Sequence, residues 1–204
     1  MKIGVLVLQG AFREHIRAIN KLGCNAVGIQ KPEELDEVQG LIILGGKSAA
    51  TGKLMIENRI LEKILEKIIE RAEEGMPVFG MGTGMTLLAK EVDESGLPTL
   101  ALMDIAVIKD TSGDQEKSFQ ADLYIPAFGP KPLQAVLIGS LYIIRVKPNV
   151  GILSIYDDKI IMARQGDFLA CSFYPRLTDD SRVYQYFLKM VEDYLAFNKE
   201  KNII

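Results

Sequence analysis

A chain of 204 residues with 48% hydrophobic and 25% charged residues has the balance of a folded globular protein with room for a large core. Its net charge of −3 provides no cationic footprint for nucleic acid, and no apolar run is long enough to span a membrane. Two cysteines, Cys24 and Cys171, lie far apart without metal-ligand spacing, which fits a reducing cytoplasm rather than a disulfide framework.

Lys2 to Gln9 reads as a buried strand, because its aliphatic run is continuous and ends at Gln9-Gly10. The apolar start is too short for a signal peptide and runs straight into Arg13-Glu14-His15. Ala11 to Leu22 follows as a helix with Phe12, Ile16, Ile19 and Leu22 on its apolar face and Gly23 placed to end it. Asn25 to Gln30 is a second strand, Lys31-Pro32 opens a turn or short helix, and Leu41 to Leu44 is a third strand opening into Gly45-Gly46-Lys47-Ser48. Asn58 to Glu74 reads as an amphipathic helix with Ile60, Leu61, Ile64, Leu65, Ile68 and Ile69 facing inward, ended by Gly75. This alternation predicts a parallel sheet covered on both faces, with sites at the carboxyl ends of its strands. From about residue 100 short strands dominate: 105–108, 119–125, 135–138, 152–156, 160–164 and 168–173, with a hairpin turn at Asp157-Asp158. A final helix runs from a cap at Asp179 or Asp180 to about Asn198, with Val183, Phe187, Met190, Val191 and Tyr194 inward. With no linker in view, residues 1–204 are expected to form one domain.

The stretch from Pro77 to Leu88 is the pivot of the chain. Val78-Phe79 enters the glycine-spaced turn Gly80-Met81-Gly82-Thr83-Gly84, and the chain is expected to leave as a helix to Lys90. This is the layout of a nucleophile elbow, whose tip exposes Cys or Ser above a sheet. Here the tip is Gly82. Amide hydrolysis by a nucleophile needs an activated thiol or hydroxyl and a base. The one histidine of the chain is His15. It is expected to be a polar residue at the sheet periphery or at a partner interface. Cys171 is expected to be a small buried hydrophobe rather than a displaced nucleophile, and Thr83 and Ser48 are weak nucleophile candidates without an identifiable base. The Gly-x-Gly-x-Gly spacing is not the dinucleotide fingerprint. Gly46-Lys47-Ser48 lacks the first glycine of a phosphate loop, since that position is Leu41. No cofactor or metal is implied.

The order of motifs resembles the family of glutaminase subunits of pyridoxal 5′-phosphate synthase, class I (triad-type) glutamine amidotransferases. The resemblance is carried by Lys2-Ile3-Gly4-Val5-Leu6, Leu8-Gln9-Gly10, Arg13-Glu14-His15, Gly45-Gly46 with Ser48, and Pro77-Val78-Phe79-Gly80. It continues through Leu88-Ala89-Lys90, Ser118-Phe119 with Ala121-Asp122-Leu123, Gln165-Gly166, Cys171-Ser172-Phe173, Pro175 and Leu177-Thr178. The resemblance implies a three-layer, flavodoxin-like α/β fold with a mostly parallel central sheet. It also implies a synthase subunit as partner, to which ammonia from glutamine is passed. In the family Cys attacks the glutamine amide, His transfers the proton and Glu orients the His. By position these fall on Gly82, Tyr174 and Arg176.

Family members carry Gly-Gly-Glu-Ser where Gly45-Gly46-Lys47-Ser48 stands. Arg-containing family stretches are replaced around Gly113-Asp114-Gln115 and Gly139-Ser140-Leu141. The resemblance therefore implies a catalytically silent glutaminase-like subunit with a vestigial substrate site at Gln9, Gly45, Gly46, Lys47, Ser48 and Thr83. Two alternatives stand beside it. One is residual glutamine hydrolysis through Thr83 or Cys171; the other is anion or phosphate binding at the elbow with Lys47 and Arg176.

Overall fold

The computed structural model describes residues 1–7, 12–45, 59–93, 99–109, 118–138, 141–175 and 180–201. In chain order the first elements are β1 (Lys2–Val7), α1 (Phe12–Lys21), β2 (Asn25–Ile29), a 3-10 turn at Pro32–Glu37, β3 (Gly40–Leu44), α2 (Arg59–Glu73), β4 (Val78–Met81) and α3 (Gly84–Leu88). Then come β5 (Ala89–Val92), β6 (Met103–Lys109), β7 (Ser118–Leu123), β8 (Leu133–Ile138), β9 (Leu141–Val146), β10 (Gly151–Tyr156) and β11 (Lys159–Gln165). The last are β12 (Phe168–Cys171), β13 (Phe173–Pro175) and α4 (Arg182–Lys201).

The main sheet has the order β2-β1-β3-β4-β12-β11-β9-β6-β5, with β10 paired to β11. From β2 to β12 every neighbouring pair is parallel. Beyond β12 the pairings turn antiparallel, apart from β5 with β6. A smaller antiparallel sheet has the order β13-β8-β7. Successive strand residues point to opposite faces, so the aliphatic runs serve two cores at once. Leu41, Ile43 and Val78 pack with Leu61, Ile64 and Ile68 of α2 on one face. Ile3, Val5, Ile42, Phe79 and Met81 pack with Ile19 of α1, Phe187 and Val191 of α4, and Leu133 and Leu137 of the small sheet on the other.

Several expectations are corrected. Ile60 does not face inward: it is 57% exposed at the first turn of α2, while Leu61, Ile64 and Ile68 carry that helix's buried face. The helix after the elbow stops at Leu88 rather than Lys90, because the chain turns into β5 and pairs with β6. The strand expected at 119–125 spans Ser118–Leu123, and Ile125, although buried, leads into a 3-10 turn at Pro126. The strand over Leu141–Val146 lies outside the sequence expectations; it pairs with β6 and leaves Ile144 and Arg145 exposed.

The strand expected at 168–173 is two strands. β12 stays in the main sheet beside β4, and at Ser172 the chain passes to the small sheet as β13. Ser172 makes the transfer by donating its N–H to Ile161 O (2.9 Å) and accepting from the Ile138 N–H (3.1 Å). That transfer carries Tyr174 to the end of β4. The Asp157-Asp158 turn has φ of 50° and 59°, as a two-residue hairpin turn requires. At the start of α4 the Asp180 carboxylate accepts from the Arg182 backbone N–H at 3.3 Å, while the Arg182 guanidinium reaches the Phe128, Lys131 and Pro132 carbonyls. The cap position is therefore Ser181 rather than Asp180, since the Ser181 carbonyl accepts the first helical bond from Gln185 N–H at 2.9 Å, and the helix runs to Lys201 rather than Asn198; Asp179, the other candidate cap, lies outside the described residues. Among the described residues no helix is long and apolar enough to cross a membrane.

Candidate functional site

The site forms where β4 and β12, parallel neighbours with Cys171 beside Met81, both leave the sheet. At the end of β4, Gly82 adopts φ +55°, a left-handed conformation that a side chain disfavours. Its N–H donates to Cys171 O at 2.8 Å, and its carbonyl accepts from Met85 N–H at 2.9 Å to start α3. Thr86 Oγ1 donates to Thr83 O at 2.7 Å and steadies the same turn. Gly45, at the end of β3, backs onto this turn so closely that a Cβ there would stand 1.8 Å from Thr83 Oγ1. The expected elbow is therefore present, pinned by backbone hydrogen bonds and by close approaches to Thr83.

Above the tip stands Tyr174. A Cβ added at Gly82 would lie 2.5 Å from both Cζ and Oη of Tyr174 and 2.9 Å from Ile138 Cδ1. The Tyr174 hydroxyl donates to Gly45 O at 3.3 Å, and Gly45 in turn backs onto Thr83. Burial pushes the Tyr174 phenol up to about 12, so it stays protonated at neutral pH. The structure thus brings together four of the residues singled out in the sequence: Gly45, Gly82, Thr83 and Tyr174. Gln9, Gly46, Lys47, Ser48 and Arg176 lie outside the described residues.

The expectation for His15 is overturned. It is 6% exposed and sits in the core behind Tyr174, not at the periphery. Its Nδ1 is 2.7 Å from the Tyr184 hydroxyl, and its ring lies edge-on to both tyrosines, with centroids 6.0 Å from Tyr174 and 6.1 Å from Tyr184. Burial lowers its pKa to about 4, so the ring is neutral at pH 7. The signal was available in the sequence, since His15 stands four residues before Ile19 on the same helical face. Tyr184 and Ile138 were also missed as neighbours of the site.

Cys171 is fully buried, as expected of a small hydrophobe, and its thiol donates to Phe173 O at 3.2 Å. Burial pushes that thiol up to about 12, far from the thiolate a nucleophile needs. The anion reading loses its helix, because α3 is a single five-residue turn. Among the described residues no group of three His, Cys, Asp or Glu side chains converges as metal ligands would.

Comparison with known proteins bears on the family and the fold. A model of the SNO glutamine amidotransferase family matches residues 5–193. The pyridoxal 5′-phosphate synthase subunit PdxT of Carboxydothermus hydrogenoformans is 46% identical over 191 residues, covering 94% of this chain and 98% of that protein. The PdxT subunit of Moorella thermoacetica is also 46% identical over 191 residues, covering 94% of this chain and 100% of its own. A crystal structure of a glutamine amidotransferase superposes with TM-score 0.81 at 36% identity, covering 93% of this chain and 98% of that one. The glutaminase domain of Trypanosoma brucei CTPS, at TM-score 0.61 and 11% identity over 95% of this chain and 94% of its own, shares the fold.

Proposed function

The chain belongs to the SNO glutamine amidotransferase family, and we propose that within it the chain is a glutaminase-like subunit of the pyridoxal 5′-phosphate synthase system that does not hydrolyse glutamine. The observation that carries this reading is the pairing of Gly82 with Tyr174. The elbow tip has no attacking atom, and the space above it is filled by a phenol that stays protonated at neutral pH. Acyl transfer by a covalent route needs a nucleophile and a base in hydrogen-bond reach of each other. Here the one histidine lies behind the tyrosine and bonds Tyr184 instead. Arg176, a permanent cation, does not accept a proton from an imidazole.

The remaining role is to dock on the synthase subunit or to serve as a folded scaffold. Similarity to PdxT subunits along nearly their whole length supports that role. The test mixes the purified chain with a synthase subunit and follows sedimentation together with ammonia release from glutamine. Co-sedimentation without ammonia is expected. Robust ammonia release, with or without the synthase subunit, overturns the silent reading, and separate sedimentation overturns docking.

Residual hydrolysis through Thr83 or Cys171 is the second reading. It is favoured only by the position of the Thr83 hydroxyl at the turn itself, and ammonia release abolished by Thr83→Ala or Cys171→Ala would establish it. Anion binding with Lys47 and Arg176 is tested by thermal stabilisation with phosphate that is lost in Lys47→Ala or Arg176→Ala.

A further inference from the structure

Tyr174 does more than stand where a nucleophile would be. In a nucleophile elbow the backbone N–H of the residue after the tip helps to form the oxyanion hole that holds the substrate carbonyl oxygen. In this chain that residue is Thr83, next to the tip over which the Tyr174 ring stands. The Tyr174 hydroxyl donates to Gly45 O, which fixes the ring from a second strand end. The ring's outer atoms lie 2.5 Å from where a Cβ at Gly82 would be. One side chain therefore stands over the elbow tip, beside that donor. The ring is also backed from within, edge-on to His15, whose Nδ1 is tied to Tyr184 at 2.7 Å. With His15 and Tyr184 at 6% and 3% exposure, Tyr174 has little room to retreat into the core.

We propose that Tyr174 is an internal occupant of the carboxamide site, excluding primary carboxamides such as the glutamine side chain from the elbow by filling their place. This rests on the reading of the elbow as an amidotransferase site. It goes beyond the lack of a nucleophile, because a site that has merely lost its nucleophile still binds substrate.

The experiment compares the full-length parent with Tyr174→Ala, Tyr174→His and Tyr174→Phe. L-glutamine binding is measured by titration calorimetry, and exchange of the Thr83 amide proton is followed by NMR. The parent and Tyr174→Phe, which keeps the ring, are expected to show no saturable binding. Tyr174→Ala is expected to bind at least tenfold more tightly than the parent, and its Thr83 amide to exchange at least tenfold faster. Tyr174→His, with a smaller ring, serves if the alanine variant does not fold. Equal binding by parent and alanine variant, folded variants that bind no glutamine, or a Thr83 amide that exchanges equally fast in both proteins overturns the proposal. Ammonia is read separately. Variants that neither bind nor hydrolyse overturn the occupant alone, whereas ammonia release by the parent overturns the silent reading.

Discussion

The two sides of the cleft over Gly82 are made of opposite materials. On the β4–α3 side the contacts are close backbone approaches and short threonine hydroxyls: Gly82 lies left-handed, and Gly45 leaves no room for a Cβ beside Thr83. On the β12–β13 side a single large side chain, Tyr174, fills the gap and leans on His15, which is itself tied to Tyr184. The difference separates the shape of an elbow from its chemistry. The turn is fixed by close approaches that only glycine permits, while what stands over it depends on one side chain delivered by the transfer at Ser172.

The largest expected effect comes from forcing both sides to carry side chains. Gly82→Cys with Tyr174 retained adds overpacking of roughly 1–3 kcal/mol and left-handed strain of about 1–2 kcal/mol, for a combined loss of about 4 kcal/mol. In a Tyr174→His background the overpacking is relieved and the loss falls to about 2 kcal/mol. Urea denaturation of all four proteins reads this coupling. Equal costs in the two backgrounds would mean that the sides of the cleft do not share space.

A smaller effect tests the wall behind the ring. The His15 pKa falls to about 4 in the folded chain, against 6.5 for an unperturbed imidazole. The unfolded chain therefore takes up this proton first, so stability decreases as pH drops from 6.5 toward 4, by at most about 3 kcal/mol. His15→Gln removes that part of the pH dependence. Denaturation midpoints at pH 7, 5.5 and 4 measure it, and a parent curve no steeper than the variant's would place His15 in contact with water. Tyr174→Phe, which leaves Gly45 O without the hydroxyl, costs about 1 kcal/mol in thermal unfolding. Full neutrality of this change would mean that the ring alone holds its place.

The smallest effect lies far from the cleft and sharpens the contrast. Asp104 accepts from Lys90, Asn149 (2.9 Å) and Gln165 (2.7 Å), joining β5, β6 and β11, and these bonds, Lys90's first, hold its carboxyl below the usual range. Its stabilising contribution is present above the ordinary carboxylate pKa of about 3.9 and is lost as pH falls through the lower folded value. Asp104→Asn is expected to flatten only this acid limb, below the window of His15. A change confined to pH 5–7 would assign that window to the wrong group.

Much of the architecture was legible because its signals are local. The aliphatic runs read as strands from Lys2 and over 41–44 announced β1 (Lys2–Val7) and β3 (Gly40–Leu44), and Gly23 and Gly75, at φ +81° and +89°, mark where α1 and α2 end. The elbow was legible from glycine spacing. The break at Ser172 was not, because Phe168 to Phe173 is apolar apart from that one small residue, and only tertiary pairing decides which sheet each half joins. For the same reason the sequence placed Tyr174 near the site by resemblance but did not show its ring against Gly82. His15 was misplaced because a charged triplet, Arg13-Glu14-His15, reads as surface, whereas of these three the helix buries only His15, on the face it shares with Ile19. Ile60 erred in the other direction, an apolar residue at a helix start that the sheet does not reach.

The most direct test of a silent elbow follows amide-labelled glutamine by NMR with the purified chain and a synthase subunit, beside the Gly82→Cys/Tyr174→His/Arg176→Glu replacement. The account predicts no labelled ammonium from the parent and its appearance with the triple replacement. Labelled ammonium from the parent, at a rate that scales with protein and disappears in Thr83→Ala or Cys171→Ala, would contradict it.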